Sequence, residues 1–251
     1  MMRTPARNPL INLGFRSVAR RLVDSLFSRD LSYVVPFGKE NVWNINTRAL
    51  GQDSVVVSAG VGKDFSFERE LVEYFGCRVY LYDPSPTGLA TIERDRDKLK
   101  NISFFPVGIS EKTGSVCFGY PERSLEGSYR TPRQGAPTAE FECKRLPDVL
   151  AENGESRIDL LKLDIEGFEY GVLADMIGSG IKPDQLCIEF HHFSEGYSLR
   201  QTIQTLLQLL RSGYYLAYKE RCNYTLVREQ TSNQPHSPNQ QLPIGGAEAA
   251  G

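Results

Sequence analysis

Apolar and polar positions along this chain switch repeatedly between a strand period and a helix period. Val55-Val56-Val57 is an unbroken β-branched run of the kind a strand covered on both faces requires, and it leads into Ser58-Ala59-Gly60-Val61-Gly62. Phe67, Leu71 and Phe75 then recur at helical spacing, with Asp64 placed to cap the helix and Gly76 where a left-handed terminator belongs. A second strand is predicted over 78–82, ending at Asp83-Pro84-Ser85-Pro86, followed by a charged helix to about Leu99 and a third strand over 102–107. Segments 114–119 and 139–143 read as short strands separated by a long polar loop, 120–137, and a short helix is predicted near 147–151. Segments 158–164 and 186–190 supply the fourth and fifth main strands. A helix over 199–210 reads as core packing and stops at Gly213, and 214–218 with 224–227 form two strands joined across 219–223.

This β-α-β-α-β order predicts a parallel sheet with right-handed crossovers, an α/β fold. The closing connection is too short for a crossover, so the last strand must be antiparallel. One domain is expected over 51–229. Residues 1–50 read as an irregular lead-in holding the only tryptophan, Trp43, and an amphipathic helix over 10–27 with Arg16, Arg20 and Arg21 among its apolar positions. Residues 230–251 are rich in Gln, Asn, Pro, Gly and Ala and bury too little apolar surface to order themselves.

Bulk properties narrow the function classes. The 251 residues are 40% apolar and 24% charged, with a net charge of −2, so there is no electrostatic case for binding nucleic acid. No apolar run approaches the roughly 18 residues that span a bilayer, so stable membrane insertion is not expected; peripheral contact is open only to the N-terminal helix. The cysteines, Cys77, Cys117, Cys143, Cys187 and Cys222, are odd in number and widely spaced, which favours reduced core thiols in a cytoplasmic protein over disulfides. Nothing fixes the oligomeric state.

Candidate chemistry gathers at the strand ends. Gly60 and Gly62 allow close approach of backbone to a ligand, and Asp83, at the end of the next strand, can accept hydrogen bonds from both hydroxyls of a ribose. The third glycine of the dinucleotide fingerprint is replaced by Phe65, which argues against a pyrophosphate and for a phosphate-free nucleoside. S-adenosylmethionine fits that requirement, and the terminal antiparallel hairpin points the same way. The run Leu160-Leu161-Lys162-Leu163-Asp164-Ile165-Glu166-Gly167-Phe168-Glu169 ends a buried strand in carboxylates at the sheet edge where open α/β folds bind ligands. Asp164 and Glu166 would lie beside the transferred methyl group, with Glu169 near them and Lys162 paired to one of the acids; helix N-terminal electrostatics is the bland alternative for Glu166 and Glu169. Glu189-Phe190-His191-His192 ends the fifth strand beside Asp164. Alternation sends Glu189 and His191 to one face, so one histidine at most faces the reaction, as a proton acceptor. Asp164, Glu189 and a histidine suit a divalent ion chemically, but no compact ligand spacing supports a metal and none is expected. Tyr129, Arg130 and Arg133 in the long loop are candidates for acceptor recognition, or a solvated basic surface.

The chain resembles the FkbM-type methyltransferases. The resemblance is carried by 57–64 (Val-Ser-Ala-Gly-Val-Gly-Lys-Asp), 82–86 (Tyr-Asp-Pro-Ser-Pro), 105–114 and, most specifically, the K-x-D-x-E-G-x-E block from Lys162 to Glu169; it covers roughly 43–228. It implies a Rossmann-like class I methyltransferase sheet, S-adenosylmethionine as cofactor and O-methylation of a small-molecule or carbohydrate acceptor. Carried onto this chain, the cofactor residues are Ser58, Gly60, Gly62, Asp83, Pro84, Ser85, Val107, Gly108 and Asp164, and the catalytic candidates Asp164, Glu166, His191 and His192. Ser58 stands where many members have Asp, so Glu68 or Glu70 on the following helix is expected to supply the carboxylate. Competing classes are a nicotinamide-dependent oxidoreductase or epimerase, and a non-catalytic module that keeps the cofactor pocket.

Overall fold

The computed structural model describes residues 33–121, 127–192 and 197–229. The helix expected over 10–27 and the tail 230–251 lie outside these residues. The core is a seven-stranded sheet built from β3 (Val55–Ala59), β4 (Arg78–Tyr82), β5 (Ile102–Phe105), β9 (Leu160–Leu163), β10 (Gln185–Glu189), β11 (Tyr214–Glu220) and β12 (Asn223–Arg228), in the order β11-β12-β10-β9-β3-β4-β5. β12 is antiparallel to both its neighbours and every other main pairing is parallel. This is the parallel sheet with an antiparallel last strand that the strand and helix order predicted, and the Rossmann-like architecture that the resemblance implied. Its direction of winding reverses between β3 and β9, the crevice where such sheets take ligands.

Helices cover both faces. α1 (Ser66–Phe75) and α2 (Pro86–Arg94) follow β3 and β4; α3 (Leu146–Asn153), α4 (Glu169–Gly178) and α5 (Leu199–Arg211) follow later strands. Strand alternation divides the core accordingly. Val57, Leu161 and Leu163 join the cluster holding Val172, Leu173 and Leu209, while Val56, Leu160 and Cys187 join that of Phe67 and Leu71. Asp64 caps α1 from one residue further out than the sequence suggests: Phe65 is the cap residue, and Asp64 Oδ1 accepts from Ser66 N at 3.0 Å.

The lead-in is not irregular from Tyr33 onward. β1 (Val34–Phe37) and β2 (Trp43–Asn46) form an antiparallel hairpin, and Phe37, Trp43 and Ile45 enter the α1-side core. Two cross-chain bonds pin it to the sheet: Gln185 Oε1 accepts from Asn46 N at 3.0 Å and Gln185 Nε2 donates to Asn46 O at 3.1 Å. A second, three-stranded sheet stands beside the main one, with β8 (Thr138–Lys144) between β6 (Gly108–Ile109) and β7 (Gly114–Gly119). The α5 helix is only partly core. Thr202, Thr205 and Leu209 face inward, but Leu199, Ile203 and Leu207 are 47%, 46% and 41% exposed, because their i, i+4, i+8 spacing lays them on the opposite stripe. Cys77, Cys143 and Cys187 are buried free thiols, pushed up by burial to about 11, 12 and 12; Cys117 is exposed. No helix among the described residues is long and apolar enough to cross a membrane.

Candidate active site

The carboxyl ends of β3, β4, β9 and β10 open onto a cavity of about 430 Å³, within the size range of small-molecule sites. Gly60 and Gly62 form its floor beside β3, and Asp83, Pro84 and Ser85 line the β4 side with Gly108. Asp164 stands directly beside Gly60, Glu166, Glu189 and His191 line the wall with it, and Phe118 and Tyr129 also form part of the wall. The aromatic wall is braced from behind: Phe118 packs on Phe168 with ring centroids 4.4 Å apart, and Tyr129 meets Phe141 edge-on at 5.0 Å.

The glycine turn follows from its surroundings. Gly60 has φ +95°, and a Cβ there would overlap the carbonyl oxygen of Asp164, so no other residue fits. Asp83 holds the turn from above: its Oδ2 accepts from Val61 N at 2.8 Å and Gly62 N at 3.1 Å, and its Oδ1 accepts from Ser85 N at 2.7 Å. A carboxylate offers about four acceptor positions. Three of these are taken in this conformation, so Asp83 would meet a ribose with its remaining acceptor capacity.

After β9, Gly167 (φ +106°) faces the Tyr197 ring too closely for any side chain, and Glu166 holds the left-handed region at φ +53°. A non-glycine residue held there is strained, which is a common property of functional positions. The resulting turn lets fully buried Glu169 reach back along its own chain, where its Oε1 accepts from Ile165 N at 3.0 Å and its Oε2 from Gly167 N at 2.9 Å. The same Oε1 lies 2.9 Å from His191 Nδ1, and His191 Nε2 lies 3.4 Å from Glu166 Oε2. Burial alone would pull the His191 imidazole down, but the bond to Glu169 and the charges of Glu169, Glu166 and Asp164 outweigh it and push it up to about 10. That shift favours a protonated ring that donates, where the sequence reading has a proton acceptor; burial pushes the partner carboxyl of Glu169 up as well. Burial and the charge of Asp164 push the Glu189 carboxyl up to about 7. Asp164, Glu166 and His191 also each present a donor atom within 4.8 Å of one another, a spacing that a divalent cation could bridge.

Other expected site residues stand off the cavity wall. Ser58 points to the α1 face, where its hydroxyl donates to Glu68 Oε1 at 2.5 Å. Glu68 in turn is committed to Lys162 at 3.5 Å, and Glu70 Oε2 accepts from Gly38 N at 2.6 Å, so neither supplies a carboxylate to the cavity. Val107 packs against the core on the α3–α5 side. His192, turned the other way by the chain's alternation, is buried with its pKa lowered by desolvation. Glu189 is the wall residue the sequence reading used only as a metal candidate; its place at the end of β10 beside Asp164 was the available signal.

The cavity suits S-adenosylmethionine on charge. Glu40, Asp64, Asp83, Asp164, Glu166 and Glu189 outnumber Lys63 and His191 along its wall, a balance that favours an ammonium and a sulfonium over phosphates. The model of the methyltransferase FkbM domain matches residues 39–226. The chain belongs to the FkbM methyltransferase family. Its cofactor is S-adenosylmethionine, as the resemblance implied. The chain is 26% identical over 139 residues to the 2-O-methyltransferase NoeI of Sinorhizobium fredii (strain NBRC 101917 / NGR234), a match covering 49% of this chain and 57% of that protein's length. Among solved structures, an rRNA methylase from Streptococcus thermophilus aligns with a TM-score of 0.40 and 11% identity, covering 72% of this chain and 89% of its own. A precorrin-6y C5,15-methyltransferase from Geobacter metallireducens GS-15 aligns at 0.41 and 12%, covering 71% and 80%.

Proposed function

We propose that this FkbM-family protein methylates a hydroxyl oxygen on a small molecule, a sugar or a glycan, using S-adenosylmethionine. The observation carrying this reading is that Asp164, Glu166, Glu189 and His191 line the same cavity as the glycine turn and Asp83. S-adenosylmethionine supplies a methyl carbon already activated by its sulfonium, so most of the remaining rate comes from alignment and from a destination for the acceptor's proton. Gly60, Gly62 and the remaining acceptor position of Asp83 hold the nucleoside and amino acid end, with Pro84, Ser85 and Gly108 alongside. The Asp164 carboxylate accepts the hydrogen bond of the acceptor hydroxyl and then its proton, with the Glu189 carboxyl beside it. His191, braced by Glu169, donates to a neighbouring oxygen of the acceptor and offsets the negative charge around it.

Two features favour a neutral hydroxyl. A wall so rich in carboxylates repels carboxylate and phosphate acceptors, nucleic acid backbones included. The name of the relative NoeI, a 2-O-methyltransferase, favours oxygen. Methyl-labelled S-adenosylmethionine offered with separate panels of neutral glycosides, carboxylic acids, amines and RNA tests the reading. Label entering the glycosides as an ether is the expected result. Label entering amines or RNA instead, or entering nothing while the cofactor binds, would overturn it.

A further inference from the structure

Lys162 is 1% exposed and sits two residues before Asp164, on the face of β9 that looks toward α1 and the β1–β2 hairpin. Its Nζ donates to the Gly60 carbonyl at 2.6 Å, lies 3.5 Å from Glu68 Oε1 and stands 5.8 Å from the centroid of the Trp43 ring. Glu68, also 1% exposed, accepts from Ser58 as well. Burying this ion pair costs several kcal/mol of desolvation per ion, and a methionine would fill the same space without that cost. The Gly60–Val61 peptide unit explains its presence: its carbonyl is held by Lys162 from below, and its N–H is held by Asp83 Oδ2 at 2.8 Å from above.

We infer that Lys162 is a positioning residue for cofactor binding: with Asp83 it clamps the Gly60–Val61 peptide plane and presets the glycine turn before the cofactor arrives. This rests on the reading of the cavity as the S-adenosylmethionine site. Glu68 and Ser58 hold the ammonium under Gly60 and keep it from turning toward the cavity. A turn fixed in advance loses less freedom on binding, so the clamp acts on cofactor affinity.

The test separates positioning from simple packing. Lys162→Met alone strands Glu68 as a buried unpaired charge and is expected to lose stability. The double variant Glu68→Gln/Lys162→Met removes both charges and is expected to recover most of the lost thermal midpoint while still binding S-adenosylhomocysteine about tenfold more weakly than the wild type. A double variant of recovered stability that binds within about twofold of wild type overturns the inference. Hydrogen exchange on the ligand-free wild type needs no variant and tests the preset turn that the inference requires even if the double variant fails to fold. The Val61 and Gly62 amides are expected to be protected before any ligand is added; exchange as fast as in exposed loops, with protection appearing only on addition of S-adenosylhomocysteine, overturns the inference. Failure of the wild type to bind S-adenosylhomocysteine at all would count against the cofactor reading instead, and leaves the exchange result standing on its own.

Discussion

His191 and Asp164 sit at adjacent strand ends, and the proposed mechanism gives them opposite tasks. Glu169 is fully buried and already accepts two backbone N–H groups, so its bond to His191 Nδ1 fixes the ring with Nε2 toward Glu166. A ring held this way favours donation, and in the proposed reaction the acceptor's proton goes to the Asp164 carboxylate instead. Asp164→Asn keeps the shape of the site and removes one acceptor. Its turnover at saturating cofactor is expected to fall by about a hundredfold or more, while S-adenosylhomocysteine affinity changes by only a few-fold; steady-state kinetics beside calorimetry distinguishes the two. A larger loss of affinity than of turnover would make Asp164 a cofactor ligand first.

Among the elements, the β1–β2 hairpin was the least legible in the sequence and matters to the site through its core face. Trp43 lies against Phe67 at 6.4 Å and over the Lys162 ammonium, so it roofs the buried pair beneath the glycine turn. Trp43→Ala is expected to cost about 3–5 kcal/mol of stability, read as a lowered midpoint in urea; a change near zero would mean the hairpin is not part of the folding unit. The main strands were readable because both their faces are buried and their residues are apolar without interruption, and the antiparallel last strand followed from connection length alone. The hairpin's strands are short, and their polar positions, Asn44 and Asn46, look like turn residues until Gln185 and Thr225 are seen bonding to their backbones. In the same way Gly60, Asp83 and Asp164 could be placed from motif and strand order. The roles of Lys162, Glu68 and Glu189 could not, because each depends on contacts across the sheet that no local spacing encodes; Glu169 makes local backbone bonds, and only its contact with His191 comes from another strand end. The donor trio Asp164, Glu166 and His191 is likewise assembled from two strand ends, which is why no compact ligand spacing announced it.

On the scale of the whole molecule, the chain places its charge where function needs it. The net charge is only −2, but acids crowd the crevice at the switch between β3 and β9, while a buried cation under Gly60 balances them from inside the sheet. That arrangement fits a cationic, phosphate-free nucleoside and works against a pyrophosphate; Phe65, buried at the entrance to α1, stands where the dinucleotide fingerprint would have its third glycine. Calorimetric titration of the full chain with S-adenosylhomocysteine, run in parallel with NAD, tests this most directly. Saturable binding of S-adenosylhomocysteine at micromolar concentration, with no heat from NAD, is the predicted result. Silence toward S-adenosylhomocysteine at millimolar concentration, or tighter binding of NAD, would contradict the account at its root.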